Sequence, residues 1–263
     1  MLKRELRVNL KSFIIWFIIL IAIFLFVFMM YPSIINSSNI NMMDEMMKMF
    51  PEEVLKALNM DISSIDTAFG WLKSEGFVFI VLLTGIYSSI LGSNILLKEE
   101  SEGTISYLHS LPIKRKNILF GKIVCSLIYI IIMVLGIGIF NYICLEISGD
   151  FDRLQYILLS ITPLFSCLCL FSISLFISTF FKKTKKVFGL CLGIALVSYL
   201  LSVISEISDV TEFLKLFTVY TLCDIRNVIL NVSIDPLMIV ISMVIFIVFT
   251  LFAFVRFERK DLV

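Results

Sequence analysis

The sequence predicts an all-α protein that crosses a membrane six times, and two observations lead to this fold class. The first is composition, because 59% of the 263 residues are hydrophobic and only 16% are charged, whereas ordinary soluble domains carry about 25% charged residues. Such a composition excludes a soluble enzyme with a polar surface and an intrinsically disordered chain. The second observation is that the apolar residues form six long runs without charge.

Each of these runs is long enough for a membrane helix, which needs about 20 mostly apolar residues. None contains Asp, Glu, Lys or Arg, and one such residue at the centre of a span would cost about 2.5–3.5 kcal/mol. The whole chain, 1–263, is therefore predicted to form a single transmembrane domain. Its predicted spans are residues 13–31, 77–97, 123–145, 155–181, 187–205 and 237–255.

The charges between the runs predict which side each loop occupies. The termini and the second and fourth loops hold 16 of the 22 Lys and Arg residues but only 6 of the 21 Asp and Glu residues. Because cytoplasmic loops carry an excess of Lys and Arg, both termini are expected in the cytoplasm, and an even number of spans requires them to share a side. Residues 33–76 and 206–236 are then outer loops, and residues 98–117 form an inner loop.

The first eleven residues have the pattern of a short amphipathic helix. Leu2, Leu6 and Leu10 recur every fourth residue among Lys and Arg side chains, which favours an elbow helix lying in the membrane interface. The alternative is that these basic residues act only as a topology signal. In the fifth span, Gly189 and Gly193 form a GxxxG step, which predicts close helix packing between or within subunits.

The inner loop after the second span has the most distinctive pattern. Glu99, Glu100 and Glu102 precede a short helical stretch in which Ile105, Leu108 and Leu111 share a face, and Pro112 ends it. From the residues alone, a docking surface for a partner and an ordinary solvated loop are equally good interpretations.

This loop resembles the signature of the permease subunits of type-2 ABC exporters. The matching elements are E-E-x-E-G-T, then L-x-x-L-P-I-K-R, then Gly121-Lys122, and the order of elbow, spans and short helix matches over nearly the whole chain. Two departures are Lys114, where the family usually has Ser, and a fourth loop that is only a lysine cluster.

The resemblance implies that residues 103–111 are a coupling helix that docks into a groove of a separate cytoplasmic ATP-binding cassette subunit. It also implies that Glu99, Glu100 and Glu102 either face that subunit or hold the helix to the elbow. The residues expected to couple the two subunits are Glu99, Glu100, Glu102, Gly103, Thr104, Ile105, Tyr107, Leu108, His109, Leu111 and Pro112.

No stretch fits the GxxxxGK[ST] loop that cradles nucleotide phosphates, so ATP and Mg²⁺ are expected on the partner. The sequence predicts no catalytic, cofactor or metal site in this chain and no nucleic-acid partner. The resemblance further implies a second permease copy or paralogue, a bacterial inner-membrane location, and export. The uncharged spans favour an apolar or amphipathic substrate such as a peptide toxin, a bacteriocin, an antibiotic or a lipid-like molecule.

The same residues bear on three other classes of membrane protein. An intramembrane metalloprotease with an EExxxR motif is disfavoured, because Thr104 occupies the arginine position and His109 is the single histidine, whereas zinc needs at least three protein ligands. A secondary transporter lacks ionisable groups in the predicted spans. A membrane immunity or scaffold protein without transport activity has the same apolar spans, so the sequence leaves that alternative open.

Overall fold

The computed structural model of the protein describes residues 2–34, 67–101, 103, 115–207, 209–223 and 225–260. Within these ranges six helical segments are long and apolar enough to cross a membrane, and the same ranges contain no strand. The predicted all-α fold with six crossing helices is confirmed. The cytoplasmic position of the termini stays a prediction.

The helices follow one another in the order expected for a multi-span bundle. A π-helical turn, Leu72–Gly76, joins the second helix to the third, and two 3₁₀ segments, Asp209–Phe217 and Tyr220–Cys223, follow the seventh. The α-helices are α1 (Leu2–Ile34), α2 (Ala68–Trp71), α3 (Phe77–Ser101), α4 (Arg115–Ser148), α5 (Arg153–Ile161), α6 (Pro163–Ser178), α7 (Thr184–Ser205), α8 (Ile225–Asn231) and α9 (Pro236–Arg259).

The fourth crossing is made of two helices, α5 and α6, and its sequence explains both the start and the interruption. Asp152 caps α5 by accepting hydrogen bonds from the backbone N–H groups of Leu154 and Gln155. Pro163 is the first residue of α6. It has no N–H to donate, so the regular hydrogen-bond ladder is interrupted there.

The structure differs from the predicted elbow at the start of the chain. Helix α1 is unbroken over 33 residues, which corresponds to about 50 Å of helix, so residues 2–11 continue the first span without a turn. Its buried face carries Glu5, Asn9 and Phe13, one helical turn apart, whereas Leu10 is exposed. The placement of residues 1–11 in the membrane interface stays a prediction.

Helices α3 and α6 form the centre of the bundle, with α7 also on α3, α9 on α6, and α1 on α4. Small residues bring the central pair together: a Cβ atom added to Gly92 would lie 2.5 Å from the carbonyl oxygen of Phe171. The hydroxyl of Ser89 lies 2.8 Å from that of Ser174, and it donates to the carbonyl of Cys191 over 2.9 Å. Close approach through small and hydroxyl side chains is typical of helices packed in a membrane.

The bundle has two distinct ends. At the first, called the terminal end, the start of α1 meets the end of α3, the start of α4, residues 179–184 and the end of α9, as the contacts described below show. The other, called the opposite end, holds α2, α8 and the 3₁₀ segments. There the side-chain amide of Gln155 donates to the carbonyl of Ile229 over 2.8 Å.

Candidate functional site at the terminal end

The terminal end is held together by ion pairs and hydrogen bonds between helices that are far apart in sequence. Lys98 at the end of α3 donates to the carbonyl of Val8 in α1 over 3.4 Å. At the start of α4, Arg115 donates to the carbonyl of Lys260 over 3.2 Å. These contacts place the last turn of α3 and the first turn of α4 between the two chain termini.

Lys122 is the centre of the first cluster. Its ammonium lies 2.7 and 2.8 Å from the two carboxylate oxygens of Glu99, 2.7 Å from the carbonyl of Ile95, and 3.4 Å from a carboxylate oxygen of Glu5. The three ionic side chains are almost fully buried, with 2% exposure for Lys122 and Glu5 and 6% for Glu99. Since an ammonium has three N–H donors, these partners occupy all of its hydrogen-bonding capacity.

The local sequence explains why Lys122 reaches this position. Ile95 and Glu99 are four residues apart in α3, so they lie one above the other on the same face. Lys122 is two turns into α4, and its long side chain runs along apolar surface before the ammonium meets the carboxylates. Beside it, the hydroxyl of Tyr129 donates to the carbonyl of Leu6, which fixes the start of α1 against α4.

A second cluster is centred on Lys260, the residue that follows α9. Its ammonium lies 2.9 Å from each carboxylate oxygen of Glu100 and 2.6 Å from the carbonyl of Phe181. The two ionic side chains are each 9% exposed. Burial lowers the pKa of the Lys260 ammonium below its ordinary value, and the Glu100 carboxylate partly opposes that shift. Glu100 therefore favours the charged form of the ammonium at this position.

The two acidic residues that end α3 thus point to different neighbours. Glu99 faces α1 and α4 through Lys122, whereas Glu100 faces α9 and the turn before α7 through Lys260. Both residues come immediately before the loop that resembles a coupling segment. The last turn of α3 therefore links that loop to α1, α4, α9 and the turn before α7.

Of the residues expected to couple to an ATP-binding subunit, the structure describes three. Glu99 and Glu100 lie in the two clusters, and Gly103 follows α3 with a φ angle of +70°, a left-handed conformation that favours glycine at a helix C-terminus. The remaining residues lie outside the described part of the chain: Glu102, Thr104, Ile105, Tyr107, Leu108, His109, Leu111 and Pro112.

The two glycines expected at a subunit contact have an open side. A Cβ atom added to Gly189 or Gly193 would meet no other atom within 4 Å. The GxxxG step is therefore not used for packing among the described residues of this chain.

Sequence reasoning missed Glu5 and Lys260 as members of the site, and it used Lys122 only as part of a motif. Two signals were available for Glu5. It is the single acidic residue in the first eleven positions, and it lies four residues before Asn9, on a face that continues into Phe13. No local pattern marked Lys260, because its partners Glu100 and Phe181 are far away in sequence.

A cavity of about 410 Å³ lies at the opposite end, between α3, α7, α9 and the 3₁₀ segments. Its lining is mainly apolar and aromatic and includes Tyr199, Phe217 and Met238. At its rim Lys215 pairs with Glu206 at 3.5 Å. Within the residues that the structure describes, no group of three or more His, Cys, Asp or Glu side chains could hold a metal ion.

Comparison with known families agrees with this architecture. A family model described as "ABC-2 family transporter protein" matches residues 1–262. The chain belongs to the ABC-2 transporter family. No curated protein and no solved structure matches it.

Membership of the ABC-2 family makes the chain a multi-pass membrane protein of an ABC transport system. Proteins of this family are membrane transport components that typically are not catalytic themselves, and in general they work with an ATP-binding subunit. This suggests an ABC exporter permease. The two ion-pair clusters then lie at the end of this family member where helix α3 ends and α4 begins.

Proposed function

We propose that the chain is the permease subunit of an ATP-driven exporter and that residues 99–113 couple it to a separate ATP-binding subunit. The observation that carries this proposal is the double anchoring of the last turn of α3, where Glu99 is bound by Lys122 and Glu100 by Lys260. The loop on which the ATP-binding subunit would act thus begins at a helical turn that is bound to the rest of the bundle.

The clusters suggest how such a push would be transmitted. A displacement of residues 99–113 would pull on α1 and α4 through Lys122 and on α9 through Lys260. Because each bond joins buried or nearly buried charges, separating them is costly, so the helices would move together. Packed helices of this kind have few discrete arrangements, which suits a bundle that alternates between two states.

The proposed substrate is apolar or amphipathic: a peptide toxin, a bacteriocin, an antibiotic or a lipid-like molecule. The cavity at the opposite end supports this class, because its volume and its mainly apolar lining with a few polar groups suit an amphipathic ligand. The pair between Lys215 and Glu206 at its rim offers both signs of charge to a polar end of the molecule.

The proposed assembly contains two permease chains and two ATP-binding subunits in a bacterial inner membrane, with ATP and Mg²⁺ held by the ATP-binding subunits. The second permease chain would pack against α7. The open faces of Gly189 and Gly193 support this contact, since small residues allow two helices to approach closely in lipid.

The coupling proposal is tested with the permease purified together with its ATP-binding subunit. Leu108→Asp should abolish co-purification and the stimulation of ATP turnover by the permease, because it places a charge on the proposed docking face. Leu230→Asp is the matched control: it makes the same change at an exposed residue of the opposite end, outside the lining of the large cavity, and should leave both readouts unchanged. Normal co-purification and normal turnover with Leu108→Asp would refute the coupling role.

The contact between permease chains is tested with Gly189→Cys in a background from which the six native cysteines are removed. Oxidation should give a covalent permease dimer, whereas a cysteine at Ile139, a lipid-exposed residue of α4, should not. Absence of a dimer from Gly189→Cys would count against α7 as the contact.

A further inference from the structure

A polar cavity of about 270 Å³ opens between α1, α3 and the first residue of α7, towards the terminal end. The polar lining includes Asn9, Ser12, Tyr87, Asn94, Lys98 and Thr184. The cavity is separate from both lysine-centred clusters and from the larger cavity at the opposite end.

Two of the lining side chains have hydrogen-bonding groups without a protein partner. Tyr87 is 97% buried, with 3% exposure, and its ring packs against Phe13 and Trp16. Among the described residues, neither the hydroxyl of Tyr87 nor the side-chain amide of Asn94 makes a hydrogen bond. Neither group is among the fully buried polar atoms that lack a partner, so both reach the cavity and are available to a ligand that accepts hydrogen bonds.

The charge of the cavity lining favours a negatively charged ligand. Among the residues that the structure describes, Lys98 is the single charged residue of the lining, and no acidic side chain contributes to it. Its bond of 3.4 Å to the carbonyl of Val8 uses one N–H and leaves two for a ligand. The two acids that follow Lys98 in the chain are bound to other lysines, Glu99 to Lys122 and Glu100 to Lys260.

Two further features of the rim favour an anion. Thr184 begins α7, and the cap residue Lys183 makes no side-chain hydrogen bond to the first turn, so the positive end of this helix is not neutralised there. Exposed lysines lie within two residues of the lining residues Ser12 and Thr184, which adds an attractive field for negatively charged head groups. These are Lys11, Lys182, Lys183, Lys185 and Lys186.

The order of groups along α3 matches the order of groups in a phospholipid. Lys98 lies at the rim, Asn94 one turn deeper, and Tyr87 two turns beyond that, so the series spans about 16 Å of helix. A phosphate lies at the edge of the bilayer, ester carbonyls that accept hydrogen bonds lie below it, and acyl chains lie deeper still. The cavity has the volume of about nine water molecules, which suits a head group with part of the glycerol backbone.

We infer that this cavity binds the anionic head group of a phospholipid, with the phosphate at Lys98 and an ester carbonyl at Asn94. A net negative head group is favoured over a zwitterionic one, because the lining offers no acid to pair with a choline or ethanolamine ammonium. The inference needs only the membrane location of the bundle. It does not depend on transport or on an ATP-binding subunit.

The chain contains its own reporter for this site. The ring centroid of Trp16 lies 6.0 Å from that of Tyr87, and the sequence has only two tryptophans. In a Trp71→Phe background, all tryptophan fluorescence therefore comes from Trp16. Bromine atoms on acyl chains quench tryptophan on contact, so a lipid held in the cavity should quench Trp16.

The protein is reconstituted into phosphatidylcholine vesicles that contain a small fraction of either acyl-brominated phosphatidylglycerol or acyl-brominated phosphatidylcholine. We expect the anionic lipid to quench Trp16 at a lower fraction than the zwitterionic lipid, by on the order of tenfold, since a hydrogen bond to a charged group is lost with the wrong head group. Equal quenching by the two lipids would overturn the inference.

Substitutions separate the cavity from general surface attraction. Lys98→Gln should remove the preference for the anionic lipid, whereas Lys186→Gln, which removes an exposed charge near the same opening, should keep it. Asn94→Leu provides a second test that leaves Lys98 in place and should weaken the preference. Loss of the preference with Lys186→Gln but not with Lys98→Gln would show that surface charge alone attracts the lipid.

A last arm distinguishes a lipid from a soluble phosphate compound. Glycerol phosphate added to vesicles that already contain brominated phosphatidylglycerol should leave the quenching unchanged, because it lacks the acyl chains that hold a lipid at this depth. Recovery of Trp16 fluorescence at low concentrations of glycerol phosphate would overturn the assignment to a lipid.

Discussion

The ammonium of Lys122 lies 2.7 Å from a carboxylate oxygen of Glu99, and both side chains are buried at the terminal end of the bundle. The pair joins the start of the third crossing to the end of the second, and the nearby carboxylate of Glu5 adds the first helix. One cation thus serves two acids in a place shielded from water. Its removal would leave two buried carboxylates facing each other.

Lys122→Met should therefore be strongly destabilising. Breaking a buried ion pair by removing one partner costs about 3–5 kcal/mol, and the second carboxylate adds repulsion. The check is the thermal unfolding midpoint of the purified permease in detergent. Lys116→Met is the matched control, because Lys116 pairs with Glu258 at an exposed position, where ion pairs contribute about 0–1 kcal/mol.

A combined variant distinguishes the lost attraction of the ion pair from the cost of burying carboxylates without a positive partner. Adding Glu5→Gln and Glu99→Gln to Lys122→Met removes all three charges, and most of the lost stability should return, because neutral replacements of buried ion pairs are often tolerated. If Lys122→Met and Lys116→Met have the same unfolding midpoint, the cluster does not stabilise the protein.

Asn141 presents the opposite case, a polar side chain whose removal should stabilise the protein. It lies in α4 with no exposed surface, and within the described part of the chain neither its amide nitrogen nor its amide oxygen has a hydrogen-bond partner. An unsatisfied buried polar group costs about 1–3 kcal/mol. Asn141→Leu should therefore raise the unfolding midpoint, whereas Ile139→Leu on the exposed side of the same helix should leave it unchanged.

A lower midpoint for Asn141→Leu would show that the amide has a partner in the functioning protein. Transport measured in parallel would then show whether that partner is needed for activity rather than for folding alone.

The contrast between Glu100 and Lys260 shows how far the sequence could predict this protein. Uncharged runs and the charge bias of the loops were enough for the six crossings, because the bilayer imposes a length and a polarity on every span. The Glu99-Glu100 pair at the end of α3 could also be recognised in the sequence, because it is a local motif. Its partner Lys260 is 160 residues away, and only helix packing brings the two together.

The continuous first helix has a similar explanation. The leucines of residues 1–11 predicted a separate interfacial helix, but Glu5 and Asn9 instead continue the buried face that leads into Phe13. A buried acid is acceptable there only because Lys122 supplies the opposite charge. Tertiary pairing with Lys122 therefore places Glu5 on a buried face, which the local leucine pattern did not indicate, and the interfacial position of this segment stays a prediction.

Two glycines on neighbouring helices should respond differently to the same substitution. A methyl group at Gly92 would lie 2.5 Å from the backbone oxygen of Phe171, whereas one at Gly189 would meet nothing within 4 Å. Gly92→Ala should lower the unfolding midpoint by the equivalent of about 1–3 kcal/mol, the usual cost of overpacking. Gly189→Ala should leave the folding of the single chain unchanged.

The comparison is direct because both glycines are helical and both changes add one methyl group. Equal behaviour of the two variants would mean that α3 and α6 do not approach each other as closely as the structure places them. A loss of dimer with Gly189→Ala at unchanged stability would instead support the proposed contact through α7.

The orientation of the bundle can be checked independently of any partner. The positive-inside rule places the terminal end in the cytoplasm. The contacts of Lys260 with Arg115 and Glu100 place the start of α4 and the ends of α3 and α9 at that one end. Fusions after residues 115, 184 and 263 should therefore be fluorescent with green fluorescent protein and inactive with alkaline phosphatase. Fusions after residues 60 and 150 should behave in the reverse way.

The fusion after residue 150 is the most informative of the series, because it follows α4 and precedes the capped start of α5. Phosphatase activity there, with fluorescence at residue 184, requires α5 and α6 together to cross the membrane once. If both fusions reported the same side, the break at Pro163 would be a hairpin within the membrane, and the count of six crossings would be wrong.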